Sequence, residues 1–190
     1  MSKVAPVLSE SQRQRVLRYL EITSFSRRNR IVMLLSWLAG MRVGEIAALN
    51  LGDVVDVEGA VRREFQLTAF QTKGSKGRTV YVNTTLQIEL EAYLRGCVSK
   101  HATDAPLITT KTGKRFSANG LCQRVLQLYD AAGVDAATSH SGRRGFITAL
   151  ADKGINVRVI AELAGHSSIQ TTQRYIELND RVLRQAVEAV

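Results

Sequence analysis

Residues 63–83 read REFQLTAFQTKGSKGRTVYVN, and this stretch decides the fold class. The flanks 63–69 and 79–83 have β-type composition, while QTKGSKGR between them supplies glycines and cations suited to an exposed turn. A small antiparallel hairpin with a basic tip is expected. Upstream, apolar spacing is helical. Ser9 and Glu10 precede Val16, Leu17 and Leu20, so a helix is expected to begin near Ser9. A turn follows at 23–26, then the apolar run RRNRIVMLLSWLAG, whose Gly40 suits a left-handed helix stop. Residues 43–49 read as a third, short helix, and LGDVVDVEG is expected to turn toward strand. Downstream, TTLQIELEAYLRGC from Thr84 is helical, and HATDAPLITTKTGKRF reads as a loop with a short extended piece. Further helices are expected at 117–132, 142–153, 157–164, 168–175 and 180–189. The fold class is therefore α+β, mainly α-helical, with one small antiparallel β-sheet inserted after the third helix. A plain helical module would not need that hairpin.

A chain of 190 residues with 45% hydrophobic content can bury one good core, which favours a single domain. Its bounds are expected at 9–178, after a short arm at 1–8 and before a C-terminal helix at 179–190. The 26 Lys and Arg outnumber the 17 Asp and Glu, giving a formal charge of +9 and pointing to a polyanionic partner, nucleic acid foremost. Ribosomal and membrane-surface proteins share that balance, so motifs must decide. Cys97 and Cys122 have neither zinc-knuckle spacing nor the density of a disulfide scaffold, and both are expected to be reduced. MSKVAPVLSESQRQ lacks the apolar segment of a signal peptide, and no apolar run approaches the roughly 20 residues of a membrane span. The expected location is cytoplasmic, near the bacterial nucleoid.

Three distant blocks hold polar residues that packing does not require: AGMRVGEIAAL, SHSGRRGFIT and LAGHSSIQTTQRYI. Arg42 opens a helix, against the favourable direction of the helix dipole, and an anion nearby would offset this. Glu45, three residues on, shares its helical face, although an ordinary surface pair has the same spacing. His140, Arg143 and Arg144 cluster around Gly142 at another helix start. Paired guanidiniums there match phosphate oxygens without a metal, although an isolated Arg-Arg is also what a solvated basic turn carries. His140 and His166 are two of only three histidines in the chain, and both fall in these blocks. His166 follows a glycine and stands nine residues before Tyr175, so a helix end at that glycine followed by a new helix would put both within reach of one phosphate, although taken alone such a Tyr is more often a core residue and such a His a helix cap.

LAGMRVGEIAALNLGDV, HSGRRGFIT and LAGHSSIQTTQRYIEL resemble the boxes of the tyrosine recombinase, or phage integrase, family. The family pattern is an Arg with a Glu three later, His-x-x-Arg, Leu-x-x-His, and a Tyr nine residues after that His. All occur here in order, over nearly the whole chain from about Leu8. The resemblance implies a mainly helical catalytic domain with a small sheet. It also implies that Arg42 and Arg143 bind the non-bridging oxygens of a scissile phosphate, that Tyr175 is the nucleophile and that His140 is its acid/base partner. His166 would hydrogen-bond the phosphate, and Glu45 would support Arg42. The family's hairpin lysine aligns with Lys73, with Lys76 as second choice. Lys76, Arg78 and Arg144 are further expected DNA contacts. Arg144 stands where many bacterial members have a second His, so it either adds a phosphate contact or faces solvent.

The chemistry suits those residues. Fixed guanidiniums stabilise charge as it builds on a phosphodiester under attack. A tyrosine with an ordinary pKa near 10 needs a base or a positive field to ionise. Energy kept in a phosphotyrosine ester makes ATP unnecessary, and no cofactor and no metal are expected. The expected activity is site-specific DNA recombination through a 3′-phosphotyrosine, with a type IB topoisomerase-like enzyme and a catalytically silent DNA-binding regulator as alternatives. Expected partners are double-stranded DNA, copies of the chain itself in a tetrameric synapse, and a DNA-bending accessory protein. Only a handful of residues precede the expected catalytic domain, where the family usually carries an N-terminal DNA-binding domain. Either it has been removed, or the chain resembles small single-domain members such as the fimbrial inversion enzymes.

Overall fold

The computed structural model describes residues 5–72, 76–96, 103–175 and 187–188. Helix α1 (Glu10–Glu21) starts at Ser9 through a reciprocal cap, in which the Gln12 backbone N–H donates to Ser9 Oγ and the Ser9 N–H donates to Gln12 Oε1 at 2.9 Å. Helix α2 (Ser26–Leu38) follows and buries every residue from Ile31 to Trp37, because α1 and three later helices surround it. A helix apolar on all faces belongs at the centre of a core. Gly40, at φ +60°, then turns the chain into α3 (Val43–Ala48).

Residues 51–61 differ from expectation. Leu51–Val54 form a short helix, α4, and extended structure is limited to a single antiparallel bridge between Val55 and Val61 around a turn at 56–60. Asp53 accounts for the helix: its carboxylate accepts the Asn50 N–H at 2.8 Å and so closes a first turn that apolar content alone would leave extended.

The hairpin is present but shorter than its β-type composition. Strand β1 (Glu64–Leu67) pairs antiparallel with β2 (Arg78–Tyr81), with Phe65 opposite Val80 and Leu67 opposite Arg78. Residues 69–71 form a 3-10 turn rather than more strand. Two strands alone are marginal in water. Here Phe65, Leu67 and Val80 face inward, and the pair leans on α4 and on the later helix α8.

Helix α5 (Thr84–Leu94) packs on α2, and α6 (Ala118–Ala131) packs on α3 and α1. Between them the expected loop contributes bridges from Pro106 to Asn50 and from Thr109 to Arg115. Three helices close the described chain: α7 (Ser141–Asp152), α8 (Val157–Ala164) and α9 (Ile169–Gln173). The expected helix at 180–189 falls almost wholly outside the described residues, as do Lys73 and Cys97.

Burial is divided in two. A large cluster joins α1 to α6 and the sheet, whereas Ile147, Ile160 and Ala164 form a separate small cluster with Phe146, Leu150, Ala151 and Tyr175 packed against it. Among the described residues no helix is long and apolar enough to cross a membrane.

Candidate active site

The site is assembled around the C-terminal end of α8. Gly165, at φ +61°, terminates that helix in a left-handed cap and leaves its last carbonyls pointing outward. Three successive carbonyls each receive a different arginine. Arg78 Nη1 donates to Leu163 O at 2.9 Å, Arg143 Nη2 donates to Ala164 O, and Arg42 Nη2 donates to Gly165 O at 3.3 Å. The partial negative charge of a helix C-terminus favours cations there. Arg42 caps α3, Arg78 begins β2 and Arg143 lies in the first turn of α7, so three remote segments meet at one helix end.

Glu45 neutralises part of this charge from the other side. Its Oε1 accepts from Arg42 Nη1 at 2.7 Å, and its Oε2 accepts from Arg78 Nη2 at 2.8 Å and from the Arg42 backbone N–H at 2.9 Å. The carboxylate is almost wholly buried, with 1% of its side chain exposed. Burial alone would push its pKa up. Hydrogen bonding and charge from Arg78, then Arg42, more than reverse that and hold the carboxyl below its usual range.

One carboxylate faces three guanidiniums, so the site keeps an excess of positive charge. Arg143 shows it most. Its Nη1 donates to Gly40 O at 2.6 Å and its side chain is buried. Burial, then the neighbouring Arg42, lower its pKa to about 9 against the pull of Glu45. It remains cationic at neutral pH, under strain that an incoming anion would relieve.

His166 directly follows the Gly165 cap, and its backbone N–H donates to Ala161 O at 2.9 Å. Its Nδ1 lies 2.8 Å from the hydroxyl of Thr172, which is completely buried and fixes the ring plane. Burial first, then Arg143, Arg42 and Arg78, lower its pKa to about 4. The imidazole is therefore neutral at physiological pH, one ring nitrogen donating and the other accepting.

The Tyr175 ring stacks toward His166 with centroids 6.1 Å apart and planes 19° from parallel. The guanidinium of Arg144 also lies over this ring, with its Cζ 5.6 Å from the ring centroid. His140 is the exposed residue at the head of α7, so the next turn of that helix carries Arg143 and Arg144. Arg42, Lys76, Arg78 and His166 line a polar cleft of about 450 Å³ together with Ser167 and Thr171.

The structure thus brings together Arg42, Glu45, Arg78, Arg143, His166 and Tyr175, from blocks up to 133 residues apart. Lys76 is exposed at the rim of the cleft. Two expectations change. Arg78, read as a surface DNA contact, is buried and has both terminal nitrogens bonded to Glu45 and Leu163, because β2 begins one residue earlier than expected and turns it inward. Arg144 is partly buried against Tyr175 rather than facing solvent. Thr172 was not singled out by the sequence. Its only signal is a hydroxyl six residues after His166, a spacing that becomes contact only once α9 forms.

Comparison with known proteins gives the same answer. The sequence model described as the phage integrase family matches residues 6–181. Tyrosine recombinase XerA of Pyrococcus furiosus is 31% identical over 164 residues, covering 85% of this chain and 54% of that protein. Tyrosine recombinase XerD of Oceanobacillus iheyensis is 29% identical over 187 residues, covering 96% and 61%. The chain therefore spans between half and two thirds of the length of these relatives. The crystal structure of XerA recombinase superposes with a TM-score of 0.76 at 27% identity, over 100% of this chain and 65% of that one. XerH site-specific recombinase in its pre-cleavage complex has the same fold, at a TM-score of 0.73 and 21% identity over 98% and 54%. With the motif residues gathered at one helix end and a family match over most of its length, this chain belongs to the phage integrase family.

Proposed function

We propose that this chain is the catalytic domain of a site-specific DNA recombinase that cuts and rejoins strands through a 3′-phosphotyrosine at Tyr175. The observation that carries this reading is the convergence of Arg42, Arg143, His166 and Tyr175 around the end of α8, with more positive charge than Glu45 neutralises. A phosphodiester supplies the missing anion.

In the proposed reaction Tyr175 Oη attacks phosphorus, a P–Oη bond forms and the bond to the 5′ oxygen breaks. Arg42 and Arg143 hold the non-bridging oxygens, since guanidinium forks fit them bidentately and stabilise the added charge. His166, kept neutral by its surroundings, contributes a hydrogen bond to the phosphate rather than a proton. His140 takes the tyrosine proton, and Lys73, or Lys76 in its place, protonates the leaving 5′ oxygen. Glu45 and Arg78 hold Arg42 in place. Rejoining runs the same steps in reverse with a new 5′ hydroxyl, so neither a metal nor a nucleotide cofactor is required.

Double-stranded DNA is the proposed substrate. Support comes from the charge of +9 and from structural neighbours solved on DNA, among them a transposon integrase on a transposon end and a lambda integrase dimer on a core site. Those assemblies also support action as an oligomer on DNA, with a tetrameric synapse, a C-terminal helix at 179–190 exchanged between protomers and a DNA-bending protein as the finer proposals. Work in the cytoplasm at the nucleoid follows from that substrate.

The test is trapping on nicked suicide duplexes that carry candidate recombination sites. The protein should form an SDS-resistant adduct with DNA, and Tyr175→Phe should form none. DNA binding without any adduct would turn the assignment to a silent DNA-binding regulator. Relaxation of supercoils on DNA of any sequence would turn it to a topoisomerase-like enzyme.

A further inference from the structure

Among the described residues, Arg144 is the one arginine of the site that neither Glu45 nor the α8 carbonyls engage. It lies in the first turn of α7, where the helix dipole disfavours positive charge. Its Nε is buried and has no hydrogen-bond partner among the described residues. The preceding Arg143 turns to Gly40 and Ala164, on the scaffold side. Arg144 instead places its guanidinium carbon 5.6 Å from the centroid of the Tyr175 ring. Two consecutive arginines therefore do different work.

Resting on the assignment of Tyr175 as nucleophile, the geometry points to Arg144 as a positioning residue that favours the ionised form of Tyr175. A neutral phenol offers a guanidinium only the quadrupole of its ring, whereas a phenolate offers a full negative charge. The contact is therefore stronger after the phenol loses its proton, and an interaction stronger in the charged state draws the ionisation down. The phenol proton leaves to the base of the site, the electron pair stays on Oη, and that pair forms the bond to phosphorus. Among the described residues, the other groups facing the ring are Arg143, on the same helix as Arg144 and close enough for Tyr175 to act on its pKa, and the neutral His166 stacked on it. Neither removes the need for Arg144. Arg143 is divided between two backbone carbonyls, and His166 carries no charge. The ring also anchors on the small cluster of Ile147, Ile160 and Ala164, so the guanidinium meets a fixed target.

The test does not depend on catalysis. Fluorotyrosine incorporated throughout the protein lowers phenol ionisation into the range where the fold is stable, and the Tyr175→Phe variant assigns the Tyr175 signal by fluorine NMR. Arg144→Gln should raise the ionisation midpoint of Tyr175 by about one pH unit, and Arg144→Lys, which keeps a charge but not the plane, by less. An unchanged midpoint in a folded Arg144→Gln protein overturns the proposal. Adduct formation provides the second readout. In Arg144→Gln the rate should fall about tenfold at neutral pH and recover as pH rises, as expected when the midpoint moves by about one pH unit. A loss equal at every pH, together with weaker DNA binding, would make Arg144 a phosphate contact and overturn the proposal. If the unmodified protein forms no adduct while the midpoint still moves, the cleavage reading fails and the coupling of Arg144 to Tyr175 stands.

Discussion

His166 shows how a single residue reports on the whole charge balance of the site. Its pKa is lowered to about 4 by burial and by three arginines, against an ordinary value near 6.5 in the unfolded chain. As pH falls below about 6.5 the unfolded chain binds a proton that the folded chain refuses. The stability that depends on His166 is thus fully present above that value and is lost progressively as pH drops toward 4. Glu45 acts in a lower window: its pKa is depressed below the usual carboxylate range, so its contribution persists until pH falls under about 4.5. Urea denaturation at a series of pH values should therefore show stability declining between pH 6.5 and 4.5 in the unmodified protein and a flatter profile in His166→Gln. An equal decline in both would mean that His166 does not carry the effect. The same linkage makes phosphate binding stronger as pH falls through this window, because a bound anion restores the proton affinity of the ring.

At the scale of elements, the site depends on how closely α7 approaches α2. A Cβ added at Gly142 would meet the Trp37 ring, with Nε1 at 2.8 Å, and Ser36 Oγ at 2.6 Å. Trp37 cannot yield easily, since its Nε1 donates at 3.0 Å to the hydroxyl of the buried Tyr129. Gly142→Ala should therefore cost about 1–3 kcal/mol by overpacking, and it should lower adduct yield by displacing His140, Arg143 and Arg144 together. Gly145→Ala is the internal control. Nothing lies within 4 Å of its added Cβ, so helix propensity alone acts and stability should be unchanged or raised. Calorimetry on both variants, paired with suicide-substrate trapping, separates the two outcomes.

Most elements were legible because their signals are local. Ser9, Asn83 and Ser117 cap the helices they precede, and Gly40 and Gly165 end others. Helix α4 was not, since four residues carry no period and its start depends on one Asp53 contact. The motif residues of the site were legible as spaced blocks, and their meeting place was not. Backbone carbonyls hold the arginines, and a carbonyl has no letter in the sequence. The burial of Arg78 was not legible for a related reason, because the turn composition that signals exposure runs through Arg78 itself, the first residue of the strand that buries it.

At the scale of the molecule, two hydrophobic clusters of unequal size are joined by the packing of α7 on α2 and by polar contacts. The small one, around Ile147, Ile160 and Ala164, buries too little to hold α8 and α9 firmly by itself. Arg143 spans the gap directly, since it bonds Gly40 in the large unit and Ala164 in the small one, and Arg42 and Arg78 add parallel ties to Gly165 and Leu163. The residues proposed to grip a phosphate are therefore also the fasteners of the region that carries Tyr175, and binding and order at the nucleophile are coupled. Arg143→Met keeps most of the buried volume and removes those two bonds. Amide hydrogen exchange in α8 and α9 should then quicken by about tenfold or more, the loss of ~1.4 kcal/mol or more of local stability, while α2 and α3 exchange as before. Added DNA should slow exchange in α8 and α9 of the unmodified protein, because a phosphate held by Arg42 and Arg143 tightens both ties. Uniform acceleration across all helices in Arg143→Met would show instead that the two clusters unfold as one unit, and that Arg143 acts on global stability rather than on the attachment of the catalytic end.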